Sequence, residues 1–177
     1  MEQTLIIIIH PDLEGSIVNR QWMEALKKHP EKFTLHDLHG TYKDGKIDIQ
    51  KEQQLLEAHH KIIFQFPFYW FSSPPLLKQW LDEVLTYGWA YGSKSGYKLK
   101  GKKIALAISA GIDEKEYRKD GQYSYTLQQL TAPLEITFKY VKAGYAGLFA
   151  FYGIEHHATA ERVKQSISDY LAFATAF

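Results

Sequence analysis

One short run, TLIIII at residues 4–9, constrains the fold of this chain more than any other feature. A strand with one face in water alternates apolar and polar residues, whereas this run stays apolar after its first residue. Such continuity predicts a strand that is buried on both faces, and strands of this kind belong to parallel sheets covered by helices. Four further strands are predicted at residues 33–38, 61–66, 103–108 and 146–152.

Segments with apolar residues at helical spacing lie between and after these strands. They cover residues 17–26, 49–58, 74–85, 126–141 and 160–174. Ser16 and Asp48 are the predicted N-caps of the first two helices, because their side-chain oxygens can accept from free backbone N–H groups. Pro74 and Pro75 suit the first turn of the third helix, and Pro133 predicts a bend in the fourth.

Strands and helices alternate about five times, which predicts an α/β fold with a parallel sheet between two layers of helices. We expect a single domain over residues 1–177 and a flavodoxin-like three-layer sandwich with strand order 2-1-3-4-5. In this order the topological switch point lies beside the first strand, and ligands bind at the carboxyl ends of the strands there. The loops after strands one, three and four then meet at one crevice.

Composition excludes several classes of function. The chain has 177 residues, no cysteine and a formal net charge of +1. The charge and the scattered basic residues argue against a nucleic-acid partner, and the missing cysteines exclude disulfides and thiol catalysis. The apolar start is too short for a signal peptide, and no apolar run reaches membrane-spanning length. We therefore expect a cytoplasmic protein without a membrane span.

Loop one, residues 10–19, leads into the start of a helix, where free N–H groups and the helix dipole attract an anion. Ser16 and Asn19 add side-chain donors, and His10 can place an imidazole against a phosphate. In the alternative interpretation Ser16 is only a cap and His10 only ends a strand. The loop carries neither the Gly-x-Gly-x-x-Gly nor the Walker pattern.

Loop two is the segment Pro67, Phe68, Tyr69 and Trp70, which follows the third strand. Exposed aromatic side chains at this position favour a flat, apolar ligand, and backbone N–H groups can reach the polar edge of such a ring. The alternative is that these aromatics pack in the core or at a dimer interface.

Loop three is the segment Ser109, Ala110, Gly111 and Ile112, and Tyr117 follows it. Small residues let the backbone approach a ligand closely, although an ordinary strand-to-loop turn has the same composition. The histidine pairs at residues 59–60 and 156–157 do not predict a metal site, because neighbouring side chains diverge. The chain contains no Gly-x-Ser-x-Gly elbow, so the sequence does not indicate a hydrolase.

These loops resemble those of the NAD(P)H:quinone oxidoreductase family of flavodoxin-like flavoproteins. The matching run extends from Phe64 to Trp80 and continues through Tyr87-Gly88-Trp89-Ala90-Tyr91-Gly92. The resemblance is strongest to short bacterial members, which include the ancillary oxidoreductases of glutathione-gated potassium-efflux systems, and it covers essentially the whole chain.

The resemblance implies a role for each matching residue. The flavin phosphate and ribityl chain would be held by loop one, through His10, Ser16, Ile17, Val18 and Asn19. The isoalloxazine would be lined by Pro67, Phe68, Tyr69 and Trp70, and its pyrimidine end by Ser109, Ala110, Gly111 and Ile112. Tyr117 would stabilise the charge of reduced flavin. The substrate pocket would have Trp70 and Phe71 as its floor, with Trp89 and Tyr91 reaching in from the second subunit of a homodimer.

The sequence departs from the family pattern in three respects. Loop three is Ser-Ala-Gly-Ile instead of Thr-Thr-Gly-Gly, so Ile112 replaces a glycine. The histidine that mammalian members carry after the tyrosine is absent, and Gln122 and Tyr123 lie nearby. The long C-terminal extension of the mammalian enzymes is also absent, which favours FMN over FAD.

The resemblance implies a two-electron oxidoreductase that takes hydride from NADH or NADPH and reduces a quinone-like acceptor, with the flavin supplying the redox chemistry. One alternative is a regulatory subunit that binds a potassium-efflux transporter, with catalysis secondary. Another is an electron carrier of the flavodoxin kind. Its sequence mark would be a strongly acidic surface, and the net charge of +1 speaks against it.

Overall fold

Five parallel strands form one sheet at the centre of the molecule. The structure, a computed structural model, describes residues 3–94 and 96–176. The strands are β1 (Thr4–Ile8), β2 (Phe33–Asp37), β3 (Lys61–Pro67), β4 (Lys103–Ser109) and β5 (Gly144–Phe151). Their order is β2-β1-β3-β4-β5, so the predicted fold class and strand order are confirmed. Thr4 pairs with Phe33 on one side and with Lys61 on the other, which puts the switch point beside β1.

Helices cover both faces of the sheet. They are α1 (Asn19–Leu26), α2 (Leu38–Thr41), α3 (Ile49–Glu57), α4 (Pro75–Val84), α5 (Leu127–Leu130), α6 (Ala132–Tyr140), α7 (Ile154–His157) and α8 (Ala160–Ala176). A 3-10 turn spans Glu114–Glu116. Over the described ranges, 3–94 and 96–176, no helix has both the length and the apolarity that a membrane crossing needs.

The core divides into two clusters, one on each face of the sheet. Strand β1 supplies Leu5 and Ile7 to one cluster and Ile6 and Ile8 to the other, and all four side chains are buried. This alternation between two apolar layers explains why the run at residues 4–9 contains no polar break. The strand is buried on both faces, as its composition predicts.

A buried carboxylate joins three elements on one face. Glu52 of α3 is inaccessible to solvent, and its side chain accepts hydrogen bonds from Tyr42 Oη at 2.6 Å and Trp80 Nε1 at 2.8 Å. His36 Nε2 of β2 lies 2.8 Å from the same carboxylate. Burial alone would raise the pKa of Glu52, but the hydrogen bonds from His36 and Tyr42 hold it below the ordinary value.

Two helical predictions differ from the structure. The helix predicted at residues 126–141 is split into α5 and α6 at Thr131, because Pro133 lacks an N–H group and Thr131 Oγ1 bonds to Leu127 O at 2.9 Å. Helix α1 begins at Asn19, not at residue 17. Ser16 Oγ accepts from Asn19 N at 3.0 Å, so Ser16 closes the turn before the helix and is not its N-cap. The Asp48 cap of α3 is confirmed, since its carboxylate accepts from the Lys51 N–H.

Backbone hydrogen bonds continue past the ends of the central strands. Phe68 N donates to Ser109 O at 2.8 Å, and Ala110 N donates to Phe151 O at 2.7 Å. These bonds fix loops two and three side by side at the carboxyl edge of the sheet. The fold therefore brings these two loops together, as the predicted topology requires.

Candidate functional site

An aromatic cleft of about 680 Å³ lies between loops two and three at the carboxyl edge of the sheet. Aromatic side chains dominate its walls, and Gly111, Ile112 and Glu155 complete them. The lining residues are Phe68, Tyr69, Trp70, Phe71, Gly111, Ile112, Tyr117, Tyr123 and Glu155. A cleft of this size and lining suits a flat, largely apolar ligand.

The wall formed by loop two is a tight turn with unusual backbone geometry. Tyr69 N donates to Ser72 O at 3.1 Å, and Ser72 N donates to Tyr69 O at 2.9 Å. Between them, Trp70 has φ +48° and Phe71 has φ +59°. Positive φ at both central residues defines a type I′ turn, which normally carries Asn-Gly or Gly-Gly. Here two bulky aromatic residues hold this conformation, at a cost of roughly 1–2 kcal/mol each.

The turn displays both an aromatic surface and free backbone donors. The Trp70 side chain is 93% exposed, and Phe71 is about one third exposed. The N–H groups of Trp70 and Phe71 have no acceptor within residues 3–94 and 96–176. Strain of this kind persists where the surrounding structure enforces it, and it clusters at ligand sites. The turn can therefore donate two hydrogen bonds to the polar edge of a ring that stacks in the cleft.

Loop three contributes its second half to the cleft. Ser109 and Ala110 are buried, whereas Gly111 and Ile112 line the opening. The backbone of α7 and of the preceding Gly153 fastens the loop from behind, through Gly153 N to Ile112 O, Ile154 N to Ala110 O and Glu155 N to Gly111 O, at 2.9, 3.2 and 3.1 Å. Loop three is thus held rigidly although it has no regular secondary structure.

Tyr117 lies under the cleft, packed among other aromatic rings. Its ring centroid is 6.1 Å from those of Phe68 and Tyr123 and 5.6 Å from that of Tyr152. Burial raises the pKa of the Tyr117 phenol to about 12, and Tyr123 and Glu155 contribute in the same direction. The phenol is therefore protonated at neutral pH and can donate a hydrogen bond.

Loop one presents donors beside this cleft. His10 Nδ1 accepts from Asp12 N at 3.2 Å, so the ring proton of the neutral imidazole sits on Nε2. Burial lowers the pKa of His10, which favours this neutral form. The N–H groups of Ile17 and Val18, just before α1, have no acceptor among the residues that the structure describes. Together these groups can bind an anion at the helix start.

The Asn19 side chain is predicted to donate to an anion at loop one, but in the structure it bonds within the protein. Its side chain is buried, and Nδ2 donates to Ser109 Oγ at 2.7 Å. Gln65 Nε2 donates to Asn19 O at 3.0 Å. Asn19 and Ser109, both predicted cofactor contacts, thus bond to each other. They tie the start of α1 to the ends of β3 and β4, so loop one and the cleft keep a fixed separation.

Trp89 and Tyr91 lie outside the cleft of their own chain. Trp89 Nε1 donates to Glu57 Oε1 at 2.7 Å on α3. Tyr91 lines a second depression, the α4–α6 groove, which has a volume of about 630 Å³ and is formed mainly by α4, α5 and α6. Phe68 lines both the groove and the cleft, so the two depressions adjoin at this side chain.

Tyr123 and Glu155 line the cleft but do not belong to the predicted site. The Tyr123 ring centroid is 4.9 Å from that of Phe71. The sequence could have suggested Tyr123 as a site residue, because it lies a few residues after Tyr117, close to the position at which mammalian members of the family carry a histidine. Glu155 had no such signal, since only the contact between α7 and loop three brings it to the cleft.

Comparisons with known proteins agree with this architecture. A family model described as a flavodoxin-like fold matches residues 2–174. The uncharacterised NAD(P)H oxidoreductase YrkL of Bacillus subtilis is 49% identical over 96% of this chain and 97% of its own length. The glutathione-regulated potassium-efflux system ancillary protein KefG of Erwinia tasmaniensis is 40% identical over 76% of this chain and 72% of its own length.

Two solved structures are similar over nearly the whole chain. General stress protein 14 of Treponema denticola, in complex with FMN, is 48% identical, with a TM-score of 0.92 and 98% of each chain covered. An NADPH-quinone reductase of P. pentosaceus is 29% identical, with a TM-score of 0.88 and 99% of each chain covered.

Proposed function

This chain belongs to the flavodoxin-like fold family, and on that premise we propose that it is an FMN-dependent NAD(P)H oxidoreductase that reduces quinones or similar two-electron acceptors. Similarity over almost the full length to an NAD(P)H oxidoreductase and to an FMN complex supports this activity. The observation that carries the proposal is the type I′ turn at Trp70 and Phe71, which joins stacking surface to free amide donors.

The residues present fit FMN. The aromatic cleft accepts a flat ring, and the free N–H groups of Trp70 and Phe71 suit the acceptor atoms at the edge of an isoalloxazine. Gly111 has no side chain where Glu155 packs against loop three, since a Cβ there would lie 2.4 Å from Glu155 Oε1 and would displace that side chain at the wall of the cleft. Loop one, with His10 Nε2 and the amides of residues 17 and 18, suits the single phosphate of FMN.

The protein residues position the reactants and hold charge. Bound FMN supplies two-electron hydride transfer from NAD(P)H to an acceptor. The Trp70 and Phe71 amides orient the ring, and the neutral Tyr117 phenol donates towards negative charge that develops on it. The Asn19–Ser109 hydrogen bond keeps the anion-binding residues and the cleft in register. Asn19 and Ser109 therefore act by positioning the site and not by direct contact with the cofactor.

FMN titration tests the cofactor assignment. We expect the protein to bind one FMN, followed by quenching of flavin fluorescence, and to oxidise NADH or NADPH in the presence of menadione. Gly111→Ala brings a Cβ against Glu155 Oε1, so it should displace that side chain at the wall of the cleft and weaken FMN binding about tenfold. Gly144→Ala is the matched control, because a Cβ at Gly144 meets only Lys102 O at 3.7 Å. A protein that binds neither FMN nor FAD, or equal losses in both variants, would contradict the proposal.

A second copy of the chain is the proposed occupant of the α4–α6 groove. Tyr87, Ile136 and Tyr140 around it are each more than 60% exposed, which leaves a large apolar surface in water. The groove adjoins the cleft at Phe68, so a partner seated there would lie next to the acceptor site. In such a homodimer Trp89 and Tyr91 of one chain approach the cleft of the other. Sedimentation should give a dimer, and Tyr140→Lys should shift it towards monomer, with the cofactor-loaded enzyme losing activity upon dissociation.

The alternative function is that of an ancillary subunit of a potassium-efflux transporter, with redox activity secondary. The similarity to an ancillary protein of this kind, at 40% identity, supports it. The identity to the NAD(P)H oxidoreductase is higher and covers more of the chain, and so favours the enzyme. Co-purification with a transporter, or a change in potassium flux, would support the alternative. We further expect the protein to reside in the cytoplasm, where NAD(P)H is available.

A further inference from the structure

One carboxylate lies in an otherwise uncharged aromatic cleft. Of the nine residues that line the cleft, Glu155 is the one with a charged side chain, while six of the others are Phe, Tyr or Trp rings. Its side chain is 63% exposed, so the carboxylate is in contact with water. The fold thus places a negative charge beside aromatic faces.

Backbone contacts determine where this charge lies. Glu155 N donates to Gly111 O at 3.1 Å, which fixes the start of its side chain against loop three. Glu155 Oε1 lies directly over Gly111, at the position a Cβ would approach to 2.4 Å. The carboxylate also contributes to the raised pKa of the Tyr117 phenol, in agreement with its place in the same cleft.

The carboxylate is not neutralised by its neighbours. Within residues 3–94 and 96–176, no side-chain donor makes a hydrogen bond to it, and His156 Nε2 lies 4.0 Å from Oε2. The guanidinium of Arg162 instead donates to His157 O and Tyr152 O. His157 is bound to Asp113. The charge of Glu155 therefore faces the cleft.

We propose that Glu155 makes the cleft selective for planar acceptors that carry positive charge, and against anionic ones. A cation over the faces of Tyr117, Tyr123 and Phe71 gains from the ring quadrupoles, and the carboxylate adds direct attraction. An anionic ring of the same shape meets repulsion from both. This inference rests on the proposed oxidoreductase function and names the class of acceptor that it serves best.

Three acceptors with one ring system test the proposal. They are menadione, naphthoquinone sulfonate and a naphthoquinone that carries a trimethylammonium group. The FMN-loaded wild type should have the highest kcat/KM with the cationic quinone. Glu155→Gln should lower the cationic-to-anionic ratio of kcat/KM about tenfold, and Glu155→Lys should invert the preference. Menadione rates normalise each variant for a general change in activity.

Glu114→Gln is the matched control, because Glu114 is an exposed acid near Tyr152 that does not line the cleft. It should leave the ratio within about twofold of wild type. An unchanged ratio in Glu155→Gln, or an equal change in Glu114→Gln, would overturn the proposal.

A binding measurement separates this proposal from the proposed function. Calorimetry with the redox-inert ligands N-methylquinolinium and naphthalene sulfonate should show tighter binding of the cation to wild type and loss of that preference in Glu155→Gln. Equal binding of both ligands to wild type would refute the role of Glu155. If FMN and menadione turnover fail while the cation preference persists, the oxidoreductase function is wrong and the charge selectivity stands.

Discussion

The strained turn at Trp70 predicts that a glycine there will stabilise the fold and damage the site. Trp70 has φ +48°, a conformation that costs a residue with a Cβ roughly 1–2 kcal/mol and costs glycine almost nothing. Glycine in turn gains freedom in the unfolded chain, which takes back about 0.4–1 kcal/mol. The expected net gain of Trp70→Gly over Trp70→Ala is therefore about 0.5–1 kcal/mol.

Loss of the indole ring itself should hardly affect stability. The side chain is 93% exposed, so truncation removes only about 20 Å² of burial, or roughly 0.5 kcal/mol. Trp70→Ala isolates this small term because alanine keeps the Cβ. The difference between the two variants then reports the backbone strain alone.

Urea unfolding of wild type, Trp70→Ala and Trp70→Gly measures the change in the free energy of unfolding, and FMN titration measures the loss of cofactor affinity. Lys119 gives the matched control, since it is exposed and its φ is not positive. The Lys119→Gly variant should be less stable than Lys119→Ala by about 0.5–1 kcal/mol. Both Trp70 variants should bind FMN more weakly, and glycine more so because it frees the turn. If Trp70→Gly is less stable than Trp70→Ala, as expected for the same pair of variants at Lys119, the turn is not strained and the argument that connects strain to ligand binding fails.

Three further predictions follow from buried polar groups. Asn19→Ala removes the donor to Ser109 Oγ and the 3.3 Å contact between Gln65 Nε2 and Asn19 Oδ1, while Gln65 Nε2 keeps its bond to the backbone O of residue 19. Unfolding experiments should show a loss of about 1–3 kcal/mol, and a double-mutant cycle with Ser109→Ala should give a coupling of about 1 kcal/mol; additivity would contradict the bond. In the folded state the pKa of Glu52 lies below 4.5, because its hydrogen bonds outweigh the effect of burial. The ionised carboxylate therefore contributes fully to stability above pH 4.5, and this contribution declines as the pH falls through the pKa of the folded state. Glu52→Gln should remove that part of the acid dependence and lower stability at neutral pH by about 1–3 kcal/mol; an unchanged acid profile would count against it. Tyr117→Phe removes the donor and should lower kcat about tenfold while FMN affinity changes little, and an unchanged kcat would exclude a role for the phenol.

Periodicity was sufficient for the sheet and most helices. The unbroken run at residues 4–9 has one physical explanation, burial on both faces, and the alternation of elements then restricts the strand order. The division at Thr131 was only partly visible, because Pro133 predicts a bend but not where the chain breaks. Short elements such as α2 and α7 have too few residues for a period to show.

The site was less accessible to sequence reasoning, because its geometry comes from long-range contacts. The Asn19–Ser109 bond joins residues 90 positions apart, so no local pattern could show that two predicted ligand contacts hold each other. Tertiary structure also overrides local preference at Trp70 and Phe71, where aromatic residues occupy a turn that favours glycine. Glu155 reaches the cleft only because α7 bonds to loop three.

Anaerobic half-reactions on the FMN-loaded protein test the central claim most directly. Mixing with NADH or NADPH should bleach the flavin absorbance in a single turnover, and later addition of menadione should restore it with one hydroquinone formed per flavin. Protein that binds FMN but is reduced by neither nucleotide, or whose reduced flavin does not react with the quinone, would contradict the account.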